Sequence, residues 1–360
     1  MFRYYNSSLK KDSNGKIVPR STVLKGLNFD KNYIRHCIDD FNAKQIYSPM
    51  RMQTIGCGYC WACKLTKSAE WATRIALEAA EHEHNYWITL TYNEEHLPIY
   101  EQFTDGESIF ENDGTWNGTL EPEDVTKFIN TMRKHYERKP YYHTGIKYFY
   151  CGEYGETTGR PHYHMCLFNV PLDESQFYDF HVDNNHKLHW KSKEIEHWWS
   201  EHIGENDIPI GMVDVTELEW SNAAYTARYT MKKIFNEPKS ETEYAKIGKI
   251  KEFIRMSKRP GIGMNYFNQN MDKIYDTDEL VMKTVKGNIG SFKPPKAFDR
   301  KFQELHPDQW ELITESRRHA AERSNEIQKT LTDYTDKKLL EIKAENIMRI
   351  GKQLPRILEA

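Results

Sequence analysis

The sequence has no run of 18 or more apolar residues, so no membrane-spanning helix is expected. No G-x-x-x-x-G-K-S/T stretch occurs either, so no ATP-driven helicase is expected within this chain. The first residues, Met1-Phe2-Arg3-Tyr4-Tyr5, lack an apolar h-region, and secretion is not expected. Excess positive charge is missing too. Fifty Lys and Arg face 53 Asp and Glu, a formal net charge of −3. That argues against a uniformly basic DNA coat and requires any nucleic-acid surface to be local. Cysteine is scarce: Cys37, Cys57, Cys60, Cys63, Cys151 and Cys166 are the six in 360 residues. With no leader in view they read as reduced thiols or metal ligands rather than disulfides.

Aromatic and charged residues are plentiful, at 13% and 29%. The length fits one large domain with appendages, or two to three small ones. Residues 1–50 have weak periodicity and read as an irregular arm with a short helix near 33–41. Then comes Cys57-Gly58-Tyr59-Cys60-Trp61-Ala62-Cys63. A two-residue gap curls the backbone and turns both thiolates inward, as in zinc knuckles. Cys57, Cys60 and Cys63 are therefore candidate ligands of a structural Zn2+, with His36, Cys37, His82 or His84 as candidates for the fourth. The alternative is three semi-buried thiols at a helix start. Ser68 has the chemistry of an N-cap for a helix reaching about His84. Trp71, Ile75 and Ala79 fall on one stripe of that helix, and Arg74 and Glu78 pair at i,i+4.

Tyr86-Trp87-Ile88-Thr89-Leu90-Thr91-Tyr92 alternates as a half-buried strand with a hydroxyl-bearing face. A helix is predicted over about 121–139, with Pro122 in its first turn and Val125, Phe128, Ile129 and Met132 as its buried stripe. The next predicted strand, about 146–153, puts Lys147, Phe149, Cys151 and Glu153 on one face. A turn carrying Gly155 and Gly159 leads into Gly159-Arg160-Pro161-His162-Tyr163-His164-Met165-Cys166-Leu167-Phe168. Side chains alternate across a strand, so His162 and His164 project to the same face. If the two strands pair antiparallel, Glu153 ends near His162. Two imidazoles and a carboxylate suit Mg2+ or Mn2+ and also fit zinc. The plainer alternative is two surface histidines and a solvated turn carboxylate.

Residues 170–207 read as an insertion. Its histidines (His181, His186, His189, His197, His202) lack a consistent ligand spacing and read as scattered surface residues. A strand is predicted over about 208–215, with Gly211 as a bulge. Ser221 then caps a predicted helix on which Tyr225 and Tyr229 lie at i,i+4, with Lys232 and Lys233 in the next turn. Two phenols on one face can reach one phosphate in turn, and nearby cations can hold that phosphate or ease phenolate formation. The plainer alternative is a core stripe. Residues 225–260 hold ten Lys or Arg against four acids, a local +6, as a phosphate backbone would require. Lys293-Pro294-Pro295-Lys296 marks a boundary, and the chain beyond it has a charged helical pattern.

In this order the motifs resemble the HUH endonuclease superfamily, the tyrosine nucleases that start rolling-circle replication. The carriers are Cys57–Cys63, Ile88-Thr89-Leu90-Thr91-Tyr92, Cys151-Gly152-Glu153-Tyr154-Gly155, Gly159–His164 and Tyr225-Thr226-Ala227-Arg228-Tyr229. The two-tyrosine form is similar to the initiators of gokushovirus-type microviruses. The resemblance covers about residues 55–265. It implies an α+β fold, a central antiparallel sheet flanked by helices. The arrangement expected is an N-terminal Cys-rich arm over 1–67, the nuclease domain over 68–265 and a mostly helical extension over 266–360. It implies metal-dependent nicking and rejoining of phage origin DNA, single-stranded or replicative-form, through a 5′-phosphotyrosine link. The metal would lie on His162, His164 and Glu153. Tyr225 and Tyr229 would be nucleophiles, aided by Lys232 and Lys233, and Thr89, Thr91 and Arg228 would meet the DNA. A host helicase and polymerase would be partners, in the host bacterial cytoplasm. Two other readings use the same residues: a transposase or relaxase of the superfamily, and a non-catalytic zinc-dependent DNA-binding module.

Overall fold

The computed structural model describes residues 8–11, 17–20, 61–99, 118–138, 145–155, 157–184, 186–204, 206–219, 227, 241–246, 248–283, 289–332 and, singly, 338, 342, 345, 346 and 349. The chain divides into two compact units, Met1–Cys63 and Lys64–Ala360. In the first, β1 (Ser8–Lys11) and β2 (Ile17–Arg20) pair antiparallel. Cys63 lies in the first turn of a helix, while Cys57, Cys60, His36 and Cys37 fall outside the described residues. So do Tyr225, Arg228, Tyr229, Lys232 and Lys233.

The second unit is built on a seven-stranded sheet, every neighbouring pair antiparallel. Its strands are β3 (Asn85–Thr91), β4 (Lys147–Tyr154), β5 (Pro161–Phe168), β6 (Phe177–Val182), β7 (Leu188–Ser192), β10 (Val213–Glu217) and β11 (Phe253–Met256), in the spatial order β11-β4-β5-β3-β10-β7-β6. A separate hairpin, β8 (Ser200–Ile203) with β9 (Asn206–Pro209), projects before β10. The fold is α+β, as expected.

Helices cover both faces of the sheet centre. On one side α2 (Pro122–Glu137) lays Val125, Phe128, Ile129, Met132 and Tyr136 against Ile88, Leu90, Tyr163, Met165 and Leu167. Glu121 caps it by accepting the Glu123 N–H at 2.9 Å, and Pro122 takes the first turn, where a missing N–H costs nothing. The short α3 (Lys193–Trp198) adds Ile195 and Trp198 to the same core. On the other side α1 (Trp61–Ala79) packs Ile75 and Trp71 against Phe149, Cys166 and Phe168. Covered on both faces, β4 and β5 are buried almost throughout, and β5 accordingly reads as a nearly continuous apolar run after its histidines. β3 alternates, with Tyr86, Ile88 and Leu90 buried.

Three local expectations are corrected. Helix α1 starts at Trp61, so Ser68 is a buried residue of its interior and no cap. Arg74 and Glu78 do not bond to each other. The Arg74 Nε–H donates to the Ile262 carbonyl at 2.9 Å, and Glu78 meets Lys147 Nζ at 2.7 Å, His82 at 3.0 Å and the Gly263 N–H at 2.7 Å. The strand expected over 208–215 is split between β9 and β10. A Cβ on Gly211 would lie 1.7 Å from the Thr91 carbonyl oxygen, so glycine here permits a backbone crossing.

Beyond the sheet, α4 (Glu241–Lys246) precedes β11. Helix α5 (Met264–Thr277), strands β12 (Leu280–Lys283) and β13 (Ile289–Phe292) and helix α6 (Lys296–Leu305) follow it. Phe267, Ile274, Tyr275, Leu280, Phe298 and Phe302 form a second core with Leu77 of α1. The long α7 (Pro307–Thr332) is tethered by Arg317, whose guanidinium grips Asp278 and Asp299. Among the described residues no helix is long and apolar enough to cross a membrane.

Candidate metal centre

The hairpin β4–β5 positions three donors by register alone. Its turn closes with the Gly155 N–H on the Arg160 carbonyl and the Gly159 N–H on the Gly155 carbonyl, both 2.9 Å, with Gly159 at φ +66°. That turn sets Glu153 opposite His162 and Cys151 opposite His164. One ligand atom from each of Glu153, His162 and His164 lies within 4.8 Å of the others. Glu153 is 1% exposed and His164 8%. A carboxylate and two imidazoles converging at a buried spot have the donor chemistry of a divalent-cation site. The set fits the metal that the sequence implies.

Each donor is held from behind. Thr89 lies opposite His164 on β3 and its hydroxyl meets His164 Nδ1 at 3.1 Å. Trp87 stacks on the same imidazole, centroids 4.8 Å apart and planes 13° off parallel. His162 Nδ1 lies 3.3 Å from the Arg160 carbonyl, which only an Nδ1–H can satisfy, so the lone pair is on Nε2. The Cys151 thiol donates to Glu153 Oε1 at 2.8 Å. Tyr163, between the histidines, points to the opposite face. Its hydroxyl donates to the Glu121 carbonyl at 2.9 Å and accepts the Glu121 N–H at 2.6 Å. Burial drives the Tyr163 phenol well above its ordinary pKa.

The other expected site residues are distributed as follows. The Thr91 hydroxyl is spent on Met212, donating to its carbonyl at 3.2 Å. Ala227, midway between Tyr225 and Tyr229, has helical backbone and is fully buried against Ala72 and Trp71 of α1. Helix α1 is the one that covers the sheet face bearing Glu153, His162 and His164. At the other end of β4 a cleft of about 1010 Å³ is lined by Arg133, Lys147, Arg255, Lys258 and Arg259, with no carboxylate among its lining residues.

Two clusters escaped the sequence reading. His181, His189 and Asp214 converge across β6, β7 and β10, and His197, His202 and Asp207 converge on the β8–β9 hairpin. Both His197 and His202 bond Asp207 through Nδ1, the latter at 2.7 Å, and these bonds hold the Asp207 carboxyl below the usual range. Spacing along the chain carries no trace of either, because strand pairing brings the residues together. The one available signal was a pair of histidines flanking a hairpin-length turn, His181 and His189. A fourth group, Glu78, Glu81 and His82, is structural, since Glu78 serves Lys147 and Gly263.

No solved structure matches the chain. A family of replication-associated proteins, described by its ORF2 members, matches residues 85–234, from the first residue of β3 past both tyrosines. Replication-associated protein ORF2 of Spiroplasma virus 4 is 37% identical over 275 residues, 75% of each chain. Replication-associated protein VP4 of Bdellovibrio phage phiMH2K is 23% identical, over 75% of this chain and 74% of its own. Replication-associated protein ORF4 of Chlamydia phage 1 is 25% identical, over 72% of this chain and 56% of its own. With more than a third of its residues shared over three quarters of both chains in the first of these, the chain belongs to the replication-associated proteins of bacteriophages.

Proposed function

We propose that this protein is a rolling-circle replication initiator, a tyrosine endonuclease of the HUH type that nicks and rejoins phage origin DNA. The observation that supports this best is the gathering of Glu153, His162 and His164 on the sheet face that α1 covers, with Ala227 buried against the same helix. The two tyrosines flank that alanine in sequence. Glu153, His162 and His164 would hold Mg2+ or Mn2+, which when bound polarises an oxygen of the scissile phosphate. Thr89, Trp87 and the Arg160 carbonyl keep the two imidazoles in ligating orientation and tautomer.

In the first step the hydroxyl of Tyr225 or Tyr229 gives up its proton and attacks phosphorus. The phosphorus–O3′ bond breaks, leaving a 5′-phosphotyrosine and a 3′-oxygen that takes a proton. Lys232 and Lys233 favour the phenolate and hold the phosphate, while Arg228 and the basic cleft of Arg133, Arg255, Lys258 and Arg259 follow the DNA backbone. A host polymerase extends the 3′-OH behind a host helicase. The second tyrosine then cuts the regenerated origin, and the 3′-OH so released attacks the first phosphotyrosine and closes the circle. Cys57, Cys60 and Cys63 are retained as ligands of a structural Zn2+, on the strength of their spacing.

The test is incubation with a labelled single-stranded origin oligonucleotide, with and without Mn2+, resolved on a denaturing protein gel. A shifted band that needs the metal and disappears in the Tyr225→Phe/Tyr229→Phe double variant is expected. An adduct that persists in the double variant shows that the nucleophile lies elsewhere. Firm binding without any adduct, over several origins, overturns the nuclease reading in favour of a binding module.

A further inference from the structure

We propose that His181, His189 and Asp214 form a second divalent-metal site, of zinc type, that fastens the outer β6–β7 hairpin to β10. One ligand atom from each residue lies within 4.8 Å of the others. His189 Nδ1 is 2.7 Å from Asp214 Oδ2, and its Nε2 is 3.6 Å from Asp183 Oδ2. The His181 and His189 rings lie face to face, centroids 5.2 Å apart and planes 26° off parallel. An ion pair accounts for His189 between two carboxylates but not for the second imidazole laid against the first. Two imidazoles, the Asp214 carboxylate and the adjacent Asp183 make a nitrogen–oxygen set of the kind that zinc takes in preference to magnesium.

The backbone is built to make this meeting. Tyr178 pairs with Lys191, and His181 pairs with His189, so β6 carries one residue more than β7 over this stretch. The pairing slips at a bulge where Asp179 sits at φ +55°, a left-handed conformation that side chains other than glycine's disfavour. Without the extra residue Phe180 would lie opposite His189, and His181 would point to the other face of the sheet. The bulge thus turns a second histidine onto the face that already holds His189 and Asp214. Donors from three paired strands form a more rigid set than donors on a loop. Asp214 pairs with Thr89, which pairs with His164, so the cluster shares a face with the first centre but stands two strands away, roughly 10 Å. It is a separate site, and the inference stands whether or not the nuclease reading holds.

The test measures zinc per chain in the full-length protein after stripping and equilibrium dialysis against Zn2+. Wild type is compared with His181→Ala and Asp214→Asn. His181 is exposed, so its loss leaves the fold intact, as circular dichroism will verify. Each substitution is expected to remove one equivalent, while His162→Ala/His164→Ala retains that equivalent. Equal zinc content in wild type and His181→Ala, at any stoichiometry including none, overturns the proposal.

Discussion

Thr89 shows how much a single hydroxyl can carry. It is no member of the donor set, yet it holds His164 through Nδ1. Thr89→Val is expected to lower Mn2+ affinity by roughly 10- to 100-fold, with Thr89→Ser close to wild type, as read by a fluorescence or calorimetric titration. The same dependence on one group appears in the interior at Glu78, whose carboxylate is fully buried and bonded to Lys147, His82 and the Gly263 N–H. Burial alone would raise its pKa, but the hydrogen bonds from His82, Lys147 and Gly263 outweigh it and hold the carboxyl below the usual value. Glu78→Ala strands the Lys147 charge and is expected to cost about 3–5 kcal/mol in urea unfolding. Because the folded-state pKa is depressed, the carboxylate contributes stability that is present above the unfolded value and lost as pH falls through the folded one. The urea midpoint of the wild type should therefore drop on acidification through the carboxylate range, and that of Glu78→Gln should drop less.

At the scale of elements, the strands and helix that frame the first centre were legible. Alternation in β3, the apolar stripe of α2 and the glycine turn between β4 and β5 are local signals, and local signals fix elements. The meeting of Glu153 with His162 followed as soon as the hairpin was read, because turn length sets register. What stayed hidden were meetings that depend on irregular pairing. His181 reaches His189 only through a bulge, and no periodicity announces that. The start of α1 was missed because Ser68 is a common cap residue that here lies on a buried face of a helix begun earlier. Gly211 looked like a bulge and is a crossing point instead. Gly211→Ala, with a Cβ driven against the Thr91 carbonyl, is expected to pry β10 from β3 and lower stability by about 2 kcal/mol or more in thermal unfolding. Tyr163→Phe removes the hydroxyl that accepts the Glu121 N–H at the head of α2. It should cost about 1–3 kcal/mol while leaving the face with His162 and His164 untouched.

Across the whole molecule, a net charge of −3 coexists with a cleft lined by Arg133, Arg255, Lys258 and Arg259. Concentrated positive charge on an otherwise acidic chain gives binding that is local and steeply salt-dependent. Replacing Arg133 and Arg255 by Ala is expected to weaken origin and unrelated DNA alike, and to flatten the plot of log affinity against log salt by roughly one unit per lost phosphate contact. Unchanged salt slopes in both variants would remove the cleft from the DNA path. The C-terminal helices are part of the same body, since Leu77 of α1 shares a core with Phe267, Phe298 and Phe302. Proline and charge around 293–296 suggested a boundary because sequence shows where a chain bends, and not where its apolar faces settle.

The strict two-residue period of β5 has an evolutionary corollary. Substitution at Tyr163 alters one contact, but deletion of any one residue between Pro161 and His164 would put an imidazole where the phenol stands and bury both histidine positions' replacements on the wrong side. Viral lineages of this family are thus free to vary the letters of this strand far more than its length. Insertions and deletions should accumulate in the connecting turns, such as residues 183–187, while the count from Glu153 to His164 stays under selection through its parity.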